Sequence, residues 1–195
     1  PAMKKLLAVV VLVVLVLLAF ISSRPGTYHI ERSATLAAPP EAVYARVSDL
    51  HQWNSWSPWA KLDPQMKSSF SGPATGVGSV YEWTGNDKVG QGRMTILDVQ
   101  PPSKVLIKLE FLKPFAATCS AGFALAPEGA GTRITWTMDG TNNFIAKAFG
   151  LFMNMDKTVG GDFEHGLANL KSIVESATPA AAADSTGAKT AGSPS

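Results

Sequence analysis

The sequence predicts an α+β fold in which a curved antiparallel sheet wraps one long C-terminal helix, preceded by a single N-terminal apolar helix. Three observations carry this reading. From Met66 to Gly140 turn chemistry recurs at short intervals and no helical period survives. From Asn143 to Ser176, Phe144, Ala148, Phe152, Met155, Val159, Phe163, Leu167, Leu170 and Val174 fall three or four apart and form one stripe. Leu6 to Ile21 is sixteen consecutive apolar residues.

That apolar run follows Lys4 and Lys5 and precedes Ser22, Ser23, Arg24 and Pro25. A spanning helix wants about 20 residues and a signal-peptide core roughly 7 to 15. The residues before Arg24 offer no clean pair of small side chains for cleavage, which favours an uncleaved anchor over a secreted, cleaved form. The lysine stems can lengthen the span by snorkelling. Two lysines on one side against one arginine on the other place the N-terminus in the cytoplasm and the globular part across the membrane. The expected division is residues 1–26 as anchor and linker, 27–176 as the folded domain, and 177–195 as a tail. The tail is alanine, serine, threonine, glycine and proline with almost no large apolar side chain, and is expected to be disordered.

Charge follows the same division. Setting aside Lys4, Lys5, Arg24 and Lys189 from the 17 basic residues, and Asp184 from the 15 acidic ones, leaves 13 and 14, so the domain is close to neutral. Nothing in it suggests a nucleic-acid surface. The single cysteine, Cys119, excludes an internal disulfide and reads as a small buried apolar residue of a strand, not a nucleophile.

The domain opens with a strand over residues 27–38, in which Tyr28, Ile30, Arg32, Ala34 and Leu36 alternate with polar neighbours. Pro39 and Pro40 end it and suit the first turn of a helix over 41–50, with Val43, Val47 and Leu50 on one face. A second helical turn follows over 51–56. Then come three indoles, Trp53, Trp56 and Trp59, which form either a binding wall or a plug for one end of the core. Strands are expected at 77–84, 90–100, 104–112, 115–126 and 132–140, joined by short turns into an antiparallel meander. Val105, Ile107, Leu109 and Phe111 share a face, as do Ile134, Trp136 and Met138, and so do Phe115, Ala117, Cys119, Ala121, Phe123 and Leu125. One sheet face is therefore apolar, as a sheet covering a helix requires. The last helix, at about 34 residues, would span on the order of 50 Å, which is too long for a small domain. A break is expected at Gly160 and Gly161, where two glycines weaken the helix interior. The piece before the break holds Phe144, Phe149, Phe152, Met153 and Met155 and is the more adaptable half; it either packs as core or closes one end of a cavity.

The chemistry-bearing motifs are sparse. Gly76 and Gly78 lead into a strand where a phosphate loop would open a helix, and no lysine stands in the required place. His29, His51 and His165 are isolated, with no second ligand at metal spacing, so no metal or cofactor is expected. No serine sits in a nucleophile elbow. Glu82, Arg93, Lys108 and Glu110 read as cross-strand pairs on the solvated face. Glu82 is the residue to watch, because Val80, Glu82 and Thr84 alternate with Tyr81 and Trp83, and whichever set faces inward gives a cavity a carboxylate or two aromatics.

The order of an opening strand, two short helices, a six-strand meander and a long C-terminal helix is that of the helix-grip fold. The chain resembles the START-like superfamily of polyketide cyclases, dehydrases and lipid-transfer proteins, in particular bacterial members with an N-terminal membrane segment. The resemblance rests on Ile30-Glu31-Arg32-Ser33, Ala38-Pro39-Pro40-Glu41-Ala42-Val43, Trp53-Asn54-Ser55-Trp56-Ser57-Pro58-Trp59, Gly161-Asp162-Phe163-Glu164 and Gly166-Leu167-Ala168-Asn169-Leu170-Lys171, and covers residues 28–176. It implies a domain on the periplasmic side of a bacterial inner membrane that holds a hydrophobic small molecule or lipid between sheet and helix. Trp56, Trp59, Tyr81, Trp83, Phe111, Trp136, Phe152, Met155 and Phe163 are the expected lining. Two other readings stay open: a cyclase or dehydratase with Glu82 or Asp162 as acid or base, and an interaction module that exposes its tryptophans. No catalytic motif of the cyclases falls on a residue here.

Overall fold

The structure is a computed structural model and describes residues 2–177; the tail expected from Ala177 onward lies, beyond that residue, outside the described residues. An N-terminal helix α1 (Ala2–Ser22) is 21 residues long, about 30 Å at the usual rise, and of its side chains only Ile21 is buried. It extends past both ends of the sixteen-residue apolar run and so reaches the length of a bilayer's hydrocarbon layer.

Seven strands follow: β1 (Thr27–Leu36), β2 (Lys67–Ser71), β3 (Val80–Thr84), β4 (Gln91–Gln100), β5 (Lys104–Lys113), β6 (Ala117–Glu128) and β7 (Gly131–Thr141). They form one antiparallel sheet in the order β1-β7-β6-β5-β4-β3-β2, so the first strand closes onto the last of the meander. Between β1 and β2 lie α2 (Pro40–Val47), a 3-10 turn (Leu50–Gln52) and α3 (Trp53–Trp56). Pro40 occupies the first turn of α2, and the Asp49 carboxylate caps the 3-10 turn by accepting from the His51 backbone N–H. The alternation decides the inner face. Ile30 and Leu36, Val105, Ile107 and Leu109, Cys119 to Leu125 at every second position, and Ile134, Trp136 and Met138 are all buried.

The C-terminal helix breaks, but not at the two glycines. α4 (Phe144–Phe149) ends at Gly150, and α5 (Met155–Ala177) runs unbroken through Gly160 and Gly161. The break follows the caps. Asn143 accepts from the Ala146 N–H and Asn154 accepts from the Lys157 N–H, so each asparagine starts a helix of its own. Gly160 has a packing reason to stay in α5: a Cβ there would overlap the guanidinium of Arg32, which reaches up from the inner face of β1. That guanidinium donates to both Asp156 oxygens at 3.0 and 3.1 Å, to the Asp156 carbonyl at 3.0 Å and to Glu164 at 2.7 Å. The far end of α5 is tied down similarly, with Lys171 donating to the Thr35 carbonyl and the Ala37 N–H donating to Glu175. The front of the predicted stripe does not pack: Phe144 and Met155 are exposed and Phe152 is 87 % exposed.

The two glycines should therefore respond oppositely to alanine. Nothing lies near a Cβ at Gly161, so Gly161→Ala should raise stability by up to about 1 kcal/mol. Gly160→Ala should lower it, as read from urea unfolding midpoints of the two variants. Arg32 holds the Asp156 carboxyl below its ordinary range, and the Ala37 N–H, with Lys171, does the same for Glu175. Depressed carboxylates stabilise above their unfolded pKa and lose that contribution as pH falls through the folded one. Stability should accordingly drop below about pH 4, and an Arg32→Gln variant should show a shallower drop in the same titration.

Candidate functional site

The inner face of the sheet is wider than one helix. α5 lies toward its β1–β7 side, where Phe163 stacks on Trp136 with ring centroids 4.0 Å apart and planes 3° apart. Gly166 lets the helix backbone close on the same indole, since a Cβ there would stand 2.8 Å from it. On the β3–β5 side of the concave face no helix packs directly on the sheet, and a cavity of about 290 Å³ separates the strands from the first turns of α5.

Its floor is Met94 of β4, Ile107 and Leu109 of β5, Ala121 and Phe123 of β6 and Met138 of β7. Its roof is Met155 and Val159 of α5. Trp53 and Trp59 form one wall, while Trp83 and Phe111, edge to face at 6.3 Å, form the opposite one. Trp83 lies flat across β4 because Gly92 has no side chain there; a Cβ would collide with the indole. The Trp83 Nε1–H donates to the Val89 carbonyl and pins the turn between β3 and β4. That turn is braced a second time by the buried Asp63, which accepts from the Asn86 N–H at 2.7 Å and from the Gln65 N–H at 3.0 Å.

Polar groups are few and stand at the edges. The Tyr81 hydroxyl donates to Asn54 Oδ1 at 2.8 Å and lies 3.2 Å from Ser68 Oγ. The Trp59 indole donates to Asp162 at 3.3 Å. Tyr28, half-buried, has its ring laid over Gly140 and its hydroxyl against the Cys119 thiol. Burial pushes the Tyr28 phenol well above its ordinary pKa and raises the Cys119 thiol too, so both stay neutral. Of the residues that line the cavity, Asn54, Lys88 of the β3–β4 turn and Met155 at the start of α5 are exposed, and the cavity opens among them.

Of the expected lining, Trp59, Tyr81, Trp83, Phe111, Trp136 and Met155 border the cavity. Three residues do not. Trp56, 1 % exposed, packs edge-on behind Trp53 and Trp136. Phe163 spends its face on Trp136, and Phe152 points out into solvent past the break in the helix. The register settles the Glu82 question: Glu82 opposes Arg93 and pairs with it on the outer face, so Tyr81 and Trp83 face in. Of the two carboxylates considered for acid–base work, only Asp162 borders the cavity. An exposed tryptophan patch is absent among the described residues, since Trp53 and Trp56 are buried and Trp59 is partly covered. Lining residues outside the expected set include Tyr28, Trp53, Met94, Ile107, Leu109, Ala121, Phe123, Met138 and Val159. Their inward alternation or helical spacing was visible, but which inward residues meet empty space depends on where α5 lies.

Solved structures share the fold. The protein MLL2253 from Mesorhizobium loti is 16% identical, with 77% of this chain and 99% of that chain covered at a TM-score of 0.57. Protein CV1439 from Chromobacterium violaceum is 18% identical over 78% of this chain and 99% of that one, at 0.55. The Aha1 dimer from Colwellia psychrerythraea is 17% identical over 76% and 96%, also at 0.55. Likeness at this identity speaks for the fold alone. No curated protein matches the chain in sequence. The profile of one family matches residues 27–175, which is β1 through the last turn of α5. With its helix-grip architecture and a cavity between sheet and helix, the chain belongs to the polyketide cyclase / dehydrase and lipid transport family.

Proposed function

We propose that the protein is a membrane-anchored binding protein for a hydrophobic small molecule or lipid, held between the sheet and α5. The observation that carries this is the cavity between the concave face and the start of α5, whose floor and roof are aliphatic, methionine and phenylalanine side chains. Such a space costs packing energy if left empty and is recovered when an apolar ligand fills it. The volume, about 290 Å³, suits one compact apolar body, and the polar groups at its margins, Tyr81 with Asn54 and Asp162 with Trp59, give a ligand's polar end somewhere to hydrogen-bond. Methionines in the floor and roof let the site adapt to shape. α1, whose apolar side chains other than Ile21 are all exposed, supplies the anchor, and Lys4 and Lys5 orient the domain to the periplasmic face of a bacterial inner membrane. A poorly soluble ligand would then be collected and released at the bilayer.

Native mass spectrometry of the full chain, released from detergent, should show a co-purifying apolar species. Ala121 lies in the floor with its Cβ toward the cavity, so Ala121→Trp should abolish that species and weaken binding of a fluorescent fatty acid at least tenfold, about 1.4 kcal/mol. Circular dichroism keeps the comparison to folded protein. Equal binding by the folded Ala121→Trp protein would show that the ligand sits elsewhere.

A further inference from the structure

The strand ends show which way the cavity opens. β1 starts at Thr27 opposite the end of β7 at Thr141, β5 ends at Lys113 opposite the start of β4 at Gln91, and β3 ends at Thr84 opposite that same Gln91. These ends, the β3–β4 turn with Lys88 and Val89, the β5–β6 turn, and the start of α5 all lie at one end of the domain. α1 leaves from that end as well. The Gly26 carbonyl accepts from the Asn142 N–H, Lys147 of α4 donates to the Ser22 carbonyl at the last turn of α1, and Phe115 of the β5–β6 turn meets Phe149 of α4.

This end is also where the domain's exposed apolar side chains collect. Outside α1, eight of the twelve large apolar residues found exposed among the described residues fall between Leu112 and Met155. Phe115, Ile145, Phe149, Phe152 and Met153 are each more than half exposed. A contiguous surface of this kind calls for something to cover it. The two segments that build it, 112–116 and 142–155, contain Lys113 and Lys147 and no carboxylate. Aromatic and methionine side chains beside lysines, free of acidic residues, suit the layer where acyl chains meet anionic headgroups. Continuity with α1 selects the occupant, because only residues 23–26 separate α1 from β1. Four residues reach at most about 14 Å, so the patch cannot move far from the surface that α1 enters.

We propose that α4, the segment 150–154 and the β5–β6 turn form a second membrane contact, entering the interfacial layer of the bilayer that α1 spans. The domain is thereby held in one orientation, with the part of the cavity mouth at Lys88 and Met155 facing lipid and not bulk water. This rests on the membrane-anchored reading above and deepens it: the ligand enters and leaves through the apolar rim without crossing water, which names a bilayer lipid or a molecule dissolved among lipids as its class.

The test uses the full chain in vesicles of phosphatidylcholine and phosphatidylglycerol, in a Cys119→Ala background. Nitroxide labels are placed on Phe152→Cys, on Leu12→Cys within α1, and on Ala130→Cys at the opposite end of the sheet. The expected result is that the labels at 12 and 152 collide with oxygen and are shielded from a water-soluble nickel chelate, while the label at 130 shows the reverse. A label at 152 that meets the chelate as freely as the one at 130, with 12 shielded, would leave the anchor standing and overturn the second contact. Shielding of 152 from both agents would mean that protein covers the rim, a second copy or another chain, and would also overturn it. Labels at 12 and 152 both open to the chelate would overturn the anchor and the contact together. None of these outcomes depends on the ligand, which the mass spectrum of the Ala121→Trp protein reads separately.

Discussion

Arg32 lying across Gly160 fixes where α5 sits, and the position of α5 decides whether the sheet encloses a space. An arginine on the inner face of a strand loses part of its water as the helix packs over it, and its N–H donors are best satisfied by acceptors on that helix. Asp156 and Glu164 supply them, both from α5, so the helix is drawn to the β1 side of the sheet. Phe163 against Trp136 and the Lys171 and Glu175 contacts to the backbone near the end of β1 continue the same line of attachment. These last contacts also occupy backbone groups at the sheet's edge strand, which would otherwise be open to pairing with another chain.

The other half of the sheet is organised by subtraction. With α5 displaced, Met94, Ile107, Leu109 and Ala121 face a cavity and not a helix. The walls stay open because they are stiff. Trp83 is laid on Gly92 and hydrogen-bonded to the turn, Tyr81 is held by Asn54, and Trp59 is held by Asp162. Trp56 plays a different part: its Nε1 is buried without a hydrogen-bond partner among the described residues, and its ring packs edge-on against Trp53, Phe123 and Trp136. An indole that forgoes its hydrogen bond contributes through contact area, closing the end of the core behind the cavity.

The mouth, the anchor and the apolar rim lie at one end because an antiparallel meander places alternate turns together. β3–β4 and β5–β6 turn at the end where β1 begins and β7 finishes, so α1, α4 and the start of α5 cannot be elsewhere. The opposite end carries α2 and the remaining turns. Outside α1, a domain built this way gathers most of its exposed large apolar side chains at one end.

Much of this was legible in the residues. Periodicity of two marked the inward set of each long strand, turn chemistry bounded the meander, and the apolar run marked α1, since each of these is a local property of a few neighbouring residues. The register between β3 and β4, which sends Glu82 out and Tyr81 in, was open in the sequence, because a shift of one residue exchanges the faces and only pairing across strands fixes it. The helix break was misplaced for a related reason. Glycine propensity pointed to Gly160 and Gly161, but a guanidinium from a residue 128 positions earlier needs the space over Gly160, and Asn154 caps a new helix upstream. For the same cause Trp56, Phe152 and Phe163 fell outside the cavity wall. The sequence by itself determined which residues are apolar, which alternate and where turns come; the tertiary structure alone decided which apolar residues face one another and which face a void, because that depends on the placement of one helix set by a few long-range polar contacts.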